Sequence, residues 1–346
     1  MENKRINYID NLRWITVFLL VIYHAAMAYN TWGEANYIFF EEIRPIASIV
    51  TLISPWFMPL LFCLAGASSR FSLSKRGHAV FIRERLIRLG IPFAAGVVLL
   101  NPVLSYIADV THNGYEGNYF EHYKIFFTRF TDLSGYDGGF AIAHFWFLIV
   151  LLIISLISCA VIRTVEFLPE NNKKSARIIA GIVLIVIAVA TFNIKPAGKP
   201  VIMYLCVYLL GYYFLSDQAF VKKVCRFKWL FIVLFILSSA ANTYLFMYTT
   251  GYEAINNICN LVAFVSGLPA LISVGCDHLD HSSSFTKINS KISYTFYIIH
   301  FPLTVLGQYL LDLAHMGIMS NLFVTIIIVY PLTYGLCCLI KRRGKK

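Results

Sequence analysis

Two histidines stand well inside long apolar runs of this 346-residue chain: His24 in IDNLRWITVFLLVIYHAAMA and His300 in SYTFYIIHFPL. His24 lies eleven positions after Arg13. On a helix that is three turns plus about 20°, so the two side chains share one face, about 16 Å apart along the axis. Asp10 lies fourteen residues before His24, about 40° off the same line. One helix face thus offers a carboxylate and a guanidinium at its start and an imidazole further along. An imidazole surrounded by apolar side chains costs little while neutral and much when charged. A neutral imidazole is a competent general base or nucleophile, and that is the chemistry this face offers. A packing histidine, hydrogen-bonded to a neighbouring helix, would give the same pattern, so on His24 alone both readings stand.

Other candidates sit further along the chain. The stretch SSRFSLSKRGHAVFIRERLIRLGIPF carries Arg70, Arg85 and Arg88, the last two at i and i+3 on an expected helix that enters the third apolar run. Guanidinium groups in such a cluster hold phosphates through charge-assisted, often bidentate bonds; anchoring to anionic lipid is the plainer reading. AHFWFL, residues 143–148, contains His144 and Trp146, and rings at the membrane interface account for such residues without any binding role. Tyr294, Tyr297 and His300 follow one another at i+3 steps, with Pro302 just beyond. That spacing fits a polar packing cluster at a proline kink, and equally a cavity that His300 shares with His24.

These residues must be positioned by elements that cross a bilayer. Apolar side chains make up 58% of the chain and charged ones 14%, far from an ordinary globular composition. A bilayer core needs about 20 mostly apolar residues per helix. Such runs lie near 12–31, 46–67, 89–109, 144–164, 177–194, 200–216, 228–249, 257–275, 292–312 and 318–340. The expected fold is all-α: a polytopic membrane protein of ten transmembrane helices, one domain over residues 1–346. With the N-terminus inside, the inner segments collect 24 of the 29 Lys and Arg residues; only Arg44, Lys124, Arg129, Lys195 and Lys199 fall outside. That asymmetry predicts an N-in, C-in topology. It also explains the net charge of +11 without a nucleic-acid partner. Ala26-Met27-Ala28 resembles a small-residue cleavage site, but Glu2 and Asp10 in the opening region argue against a signal peptide, so the first run is expected to be retained. The eight cysteines form no CxxC pair, so neither a disulfide framework nor a metal site is expected. The outer segment 110–143 is too short for a domain of its own. It is rich in Tyr and Phe around a GYDGG turn, which suits either a cover over an acceptor or an interfacial half-helix.

Taken together, these motifs resemble the acyltransferase type 3 family of integral-membrane enzymes, which includes surface-polysaccharide O-acetyltransferases and a glucan-succinylating branch. IDNLRWITVFLLVIYH looks like the family's D-x-x-R stretch and its pattern of arginine, ten residues, histidine; LAGASSR, RERLIRLGIPF, AHFWFL and YTFYIIHFPL support the likeness. The resemblance implies a multi-pass enzyme of the cell membrane that moves an acyl group, acetyl or succinyl, from cytoplasmic acyl-CoA to a hydroxyl of an extracytoplasmic glycan. Acyl-CoA enters as co-substrate, with no other cofactor. His24, Arg13 and Asp10 map to catalytic positions, Arg70, Arg85 and Arg88 to the donor side, and His144, Trp146 and His300 to further substrate contacts. Many members carry Gly after the first-span arginine where this chain has Trp14, which leaves the acyl group open. The rival reading is a transporter or flippase with His24 and His300 along its pathway. Such proteins often couple through carboxylates deep in their spans, and none lies deep in these ten runs.

Overall fold

The computed structural model describes residues 6–166 and 170–343; Lys4, Arg5, Lys345 and Lys346, assigned to the inner side by the charge pattern, lie outside them. The described residues form helices and no strands. In chain order these are α1 (Asn7–Met27), α2 (Arg44–Ile53), α3 (Phe57–Arg85), α4 (Ile91–Leu99), α5 (Asn101–Asn113), α6 (Tyr119–Phe126), α7 (Trp146–Glu166), α8 (Glu170–Ala190), α9 (Val201–Leu210), α10 (Gln218–Cys225), α11 (Lys228–Tyr248), α12 (Glu253–His278), α13 (Ser284–Leu313) and α14 (Ile318–Arg343). Among the described residues, seven helical stretches are long and apolar enough to cross a membrane. A pair bent by 101°, Val201–Leu215 with Gln218–Cys225, makes up to eight, and Arg177–Ala190 is a shorter apolar helix. One of the seven, Arg44–Asn113, is 70 residues long and holds two of the expected runs. The protein is therefore an all-α, polytopic membrane protein. Its helices follow from the medium: with no water to bond, main-chain N–H and C=O groups must be satisfied within the segment.

The segment between the second and third runs, expected as an inner loop that turns helical at Arg85 and Arg88, is helical for most of its length. It contains no proline before Pro92, so α3 runs on to Arg85. The helix breaks at Gly77, whose φ of 72° lies in the left-handed region, which glycine enters without a Cβ clash. A π-turn over Leu86–Gly90 then leads into α4.

The chain divides into two compact units. The first holds Ser54–Ile91, Phe147–His281 and the start of α1 up to Leu12. Here α11 packs along α12, and α3 packs against α9 and the π-turn that follows it, Gly211–Leu215. That last crossing is a backbone-to-backbone approach. A Cβ on Gly66 would stand 1.9 Å from the Tyr208 carbonyl oxygen, and one on Gly211 would stand 2.0 Å from the Cys63 carbonyl oxygen. Absent side chains are what allow this contact, as at other membrane helix crossings. The second unit holds Arg13–Ile53, Pro92–Trp146 and the chain from Ser282 onward. In it α13 and α14 form a hairpin, and α5 lies against α6 and α13. Ser283 and Thr286 form a reciprocal capping box that starts α13.

Because the Cys63 carbonyl is main chain and cannot swing aside, Gly211→Ala should force the two helices apart. The expected cost is about 1–3 kcal/mol, the range for overpacking, read as a lower unfolding temperature in detergent. Gly335→Ala, where a Cβ meets nothing within 4 Å, should leave that temperature unchanged.

Candidate active site

The second unit brings three imidazoles together. His24 comes from α1, three turns beyond Arg13; His300 comes from α13; His144 comes from a short 3-10 turn, Ala143–Phe145, that leads into α7. The His24 and His300 ring centroids are 5.4 Å apart, and those of His144 and His300 are 5.5 Å apart. Phe301 lies against the same rings, 4.1 Å from His24 and 5.3 Å from His144. His300 and His144 are buried, whereas His24 is half-buried.

A proline lies behind this arrangement. Pro302 sits inside α13 and has no N–H, so the carbonyl of Ile298, four residues earlier, lacks its ordinary helical donor. His144 Nε2 stands 3.1 Å from that oxygen. In return the Tyr297 hydroxyl donates to the His144 carbonyl. His300 Nδ1 is 2.7 Å from the Tyr297 carbonyl. A carbonyl only accepts, so the hydrogen sits on Nε2 of His144 and on Nδ1 of His300. The other nitrogen of each neutral ring then carries a lone pair, and both of these atoms, His144 Nδ1 and His300 Nε2, are buried without a partner. The residue before His144 adds a second signal. Ala143 has a φ of 43°, a left-handed value that side chains other than glycine avoid and that clusters at functional sites.

A buried polar chain fixes the end of α1 beside the cluster. Gln308 of α13 donates from Nε2 to the Ala25 carbonyl at 3.0 Å, and Asn321 of α14 donates to the Gln308 carbonyl at 3.0 Å. Ala25 is in the last turn of α1, where carbonyls have no intrahelical donor. Further back on α1, the Tyr330 hydroxyl donates to the Phe18 carbonyl.

Towards the expected outer side, Asp109 of α5 is only 2% exposed. It accepts from Asn113 Nδ2 at 2.8 Å, from His122 Nε2 at 3.0 Å and from Arg129 at 3.3 Å. Gly138, with a φ of 80°, closes over it; a Cβ there would stand 2.3 Å from the carboxyl carbon. An open cleft of about 430 Å³ is lined by Asp109, Asn113, Tyr115, Arg129 and Asp137. The loop that forms it reaches the imidazoles through Tyr37. The Tyr37 hydroxyl donates to the Ser134 carbonyl at 2.5 Å, and its ring lies 4.9 Å from Tyr136 and 5.7 Å from Phe301. Within the segment 110–143 His122 and Phe126 are buried while Phe120 and Phe130 are exposed.

The first unit holds Arg70, Arg85 and Arg88. Arg85 donates to Ser69 Oγ at 2.5 Å, and the Tyr208 hydroxyl donates to the same oxygen at 2.6 Å. Ser69 gives its own hydrogen to the Ala65 carbonyl at 2.8 Å, so this hydroxyl is fully used. Arg70 lies over the Tyr212 ring, 5.2 Å from its centroid, and donates to that hydroxyl at 3.3 Å. Arg88 is exposed, 3.9 Å from Glu84. Asp10 lies in the first turn of α1, and Trp146 opens α7, half-buried.

A family model described as an acyltransferase domain matches residues 6–342. The chain belongs to the acyltransferase type 3 family. No curated protein and no solved structure matches it. Membership makes the protein an acyltransferase of the membrane. For a type 3 acyltransferase the imidazole cluster offers apt chemistry: one half-buried ring, and two buried rings whose second nitrogens, while neutral, can only accept.

The structure thus joins His24, His300 and His144, and separately ties Arg85 to Ser69 and Arg70 to Tyr212. The anchoring roles of Tyr297, Gln308 and Asp109 were not read from the sequence. One signal was present: the i, i+4 pair Ile298 and Pro302 announces a carbonyl in need of a donor on the helix that carries His300. Nothing in a single sequence pairs Asp109 with His122.

Both anchors of this type 3 acyltransferase can be probed by stability. Gln308→Leu leaves the Ala25 carbonyl buried and unbonded, and should cost about 1–3 kcal/mol in thermal unfolding. Burial holds the His122 proton affinity below that of a free imidazole; the Asp109 carboxylate opposes this and the Arg129 charge reinforces it. Folding therefore favours the neutral ring, and its contribution is complete above about pH 6.5. It is lost as the pH falls through that value toward the lower folded one. The unfolding temperature should drop on acidification, and His122→Gln should flatten that dependence.

Proposed function

We propose that the chain transfers an acyl group from cytoplasmic acyl-CoA to a hydroxyl of an extracytoplasmic glycan, with His24 as the residue that receives the acyl group. Ten spans with both ends inside would set this direction, and the gathering of basic residues on one side of the expected crossings supports them. In this reading one domain of the cell membrane performs both halves of the reaction. Donor phosphates are assigned to Arg13, oriented by Asp10, and to Arg70, Arg85 and Arg88, since guanidinium groups suit phosphate oxygens. His144, His300 and Trp146 serve the acceptor.

The observation that carries the reading is the pair of bare, buried nitrogens in the ring cluster that His24 joins. A site that can only accept hydrogen bonds calls for a ligand that donates them, and a hydroxyl does so. Those nitrogens also supply base capacity next to His24, which frees His24 to act as nucleophile. A cleft with carboxylate, amide, guanidinium and phenol groups, joined to the cluster through Tyr37, supports a polyhydroxylated acceptor on that side.

The test uses purified protein in lipid with labelled acyl-CoA and a glycan acceptor. The wild-type protein should release CoA and label the acceptor. His24→Ala should lower that rate by about a hundredfold or more, the scale of a lost catalytic group. Mass spectrometry of protein stopped without acceptor should find the acyl mass on the peptide that contains His24. A His24→Ala protein that transfers at the wild-type rate would refute the assignment.

A further inference from the structure

The sequence marks Pro302 as a kink, and the site shows a more particular consequence. An ordinary residue at position 302 would give its N–H to the Ile298 carbonyl and complete the α13 ladder. Proline cannot, and the oxygen instead stands 3.1 Å from His144 Nε2. A neutral imidazole carries one hydrogen on either nitrogen, and the hydrogen bond at one decides the state of the other. We propose that Pro302 is a positioning residue for acyl transfer: by leaving the Ile298 carbonyl open it holds His144 in its Nε2–H form and keeps Nδ1 bare to take the proton of the incoming hydroxyl. This rests on the acyl-transfer reading above.

The surroundings of His144 show why this control is needed. Its carbonyl is held by the Tyr297 hydroxyl, which fixes the backbone of the turn and leaves the choice of tautomer to the ring. The ring is buried at 6% exposure, so solvent has little part in that choice. With the hydrogen on Nδ1 instead, the ring would present a donor to a substrate hydroxyl and would have no lone pair for its proton.

In the first half of the reaction, the His24 nitrogen attacks the thioester carbon, the carbon–sulfur bond breaks and CoA leaves as the thiolate. The acceptor oxygen then attacks the acyl carbon as its proton passes to His144 Nδ1. The ester bond forms, the bond from His24 to the acyl carbon breaks, and His24 is restored. The His144 imidazolium loses its proton to water, and the thiolate gains one from water.

The test compares two residues at position 302 that differ in one group: alanine, and lactic acid introduced as a backbone ester, which has the same side chain but no N–H. In protein labelled with ¹⁵N histidine, the wild type should show His144 with a protonated Nε2 and a bare Nδ1. Pro302→Ala should return the helical N–H to the Ile298 carbonyl and mix the two forms. It should slow acceptor-dependent turnover roughly tenfold, a hydrogen bond's worth of preference, while acyl-His24 forms at the usual rate and accumulates. The ester should restore both the ¹⁵N pattern and the rate. Unchanged His144 signals in Pro302→Ala, or an ester that behaves like alanine, would overturn the proposal. A second variant keeps the test open if Pro302→Ala does not fold. His144→Gln retains a donor for the Ile298 carbonyl but has no base at the Nδ1 position, and it should lose acceptor-dependent turnover by about a hundredfold. Wild-type turnover in His144→Gln would also refute the inference. Failure of the acyl-transfer reading would appear separately, as a wild-type protein without turnover whose ¹⁵N pattern still responds to Pro302→Ala.

Discussion

One carbonyl governs the candidate site. Within an apolar medium an unbonded main-chain oxygen costs several kcal/mol, so the Ile298 oxygen that Pro302 leaves open must find a donor. It finds His144, brought from a turn more than 150 positions earlier in the chain. The same demand holds the end of α1, where Gln308 answers the Ala25 carbonyl. The three imidazoles therefore converge because backbone oxygens at a proline and at a helix end attract side-chain donors. Apolar packing by Phe301 then fills the space between the rings.

The first unit meets the same constraint by another route. At Gly66 and Gly211 the helices approach until backbone touches backbone, and this closeness sets Ser69 and Arg70 opposite Tyr208 and Tyr212. The Ser69 hydroxyl uses its one hydrogen and receives two. Its hydrogen-bonding capacity is complete, which suits a rigid platform for Arg85. The imidazole cluster differs in that each buried ring has one nitrogen committed and one uncommitted.

Much of this was legible in the sequence. The ten apolar runs fall largely on helices, because the apolar length needed to cross a bilayer leaves few alternatives. His24 and His300 stood out for the same reason that they are expensive, as polar rings in apolar runs. The Arg13 to His24 spacing holds because α1 is unbroken from Asn7 to Met27. Less legible was His144, whose position at the head of an aromatic run reads as an interfacial anchor. Its burial depends on α13 offering an open carbonyl, a tertiary fact that composition near residue 144 does not contain. Asp109 was hidden in another way. It sits at the edge of an apolar run, where a carboxylate is ordinary, and only the fold places His122 and Arg129 against it. A helix at Arg85 and Arg88 was legible from their i, i+3 spacing at the entry to the third run, whereas the helical continuation of α3 from residue 68 up to Gly77 was hidden, since a polar stretch reads as a loop when its partners are unknown.

Two histidines of the second unit show how environment divides the work. His122 and His144 are both buried, and each gives its Nε2 hydrogen to an oxygen. The oxygen differs. His122 faces the charged Asp109, which also binds Arg129 and Asn113, so its hydrogen bond belongs to an ionic network that ties α5 to the segment after it, with its Nδ1 left unpartnered as in His144. His144 faces a neutral carbonyl, which orients the ring without offering a charge to stabilise an imidazolium. In the proposed transfer His144 Nδ1 is the atom that takes the proton, and its availability follows from the oxygen that Nε2 has found and not from the histidine itself.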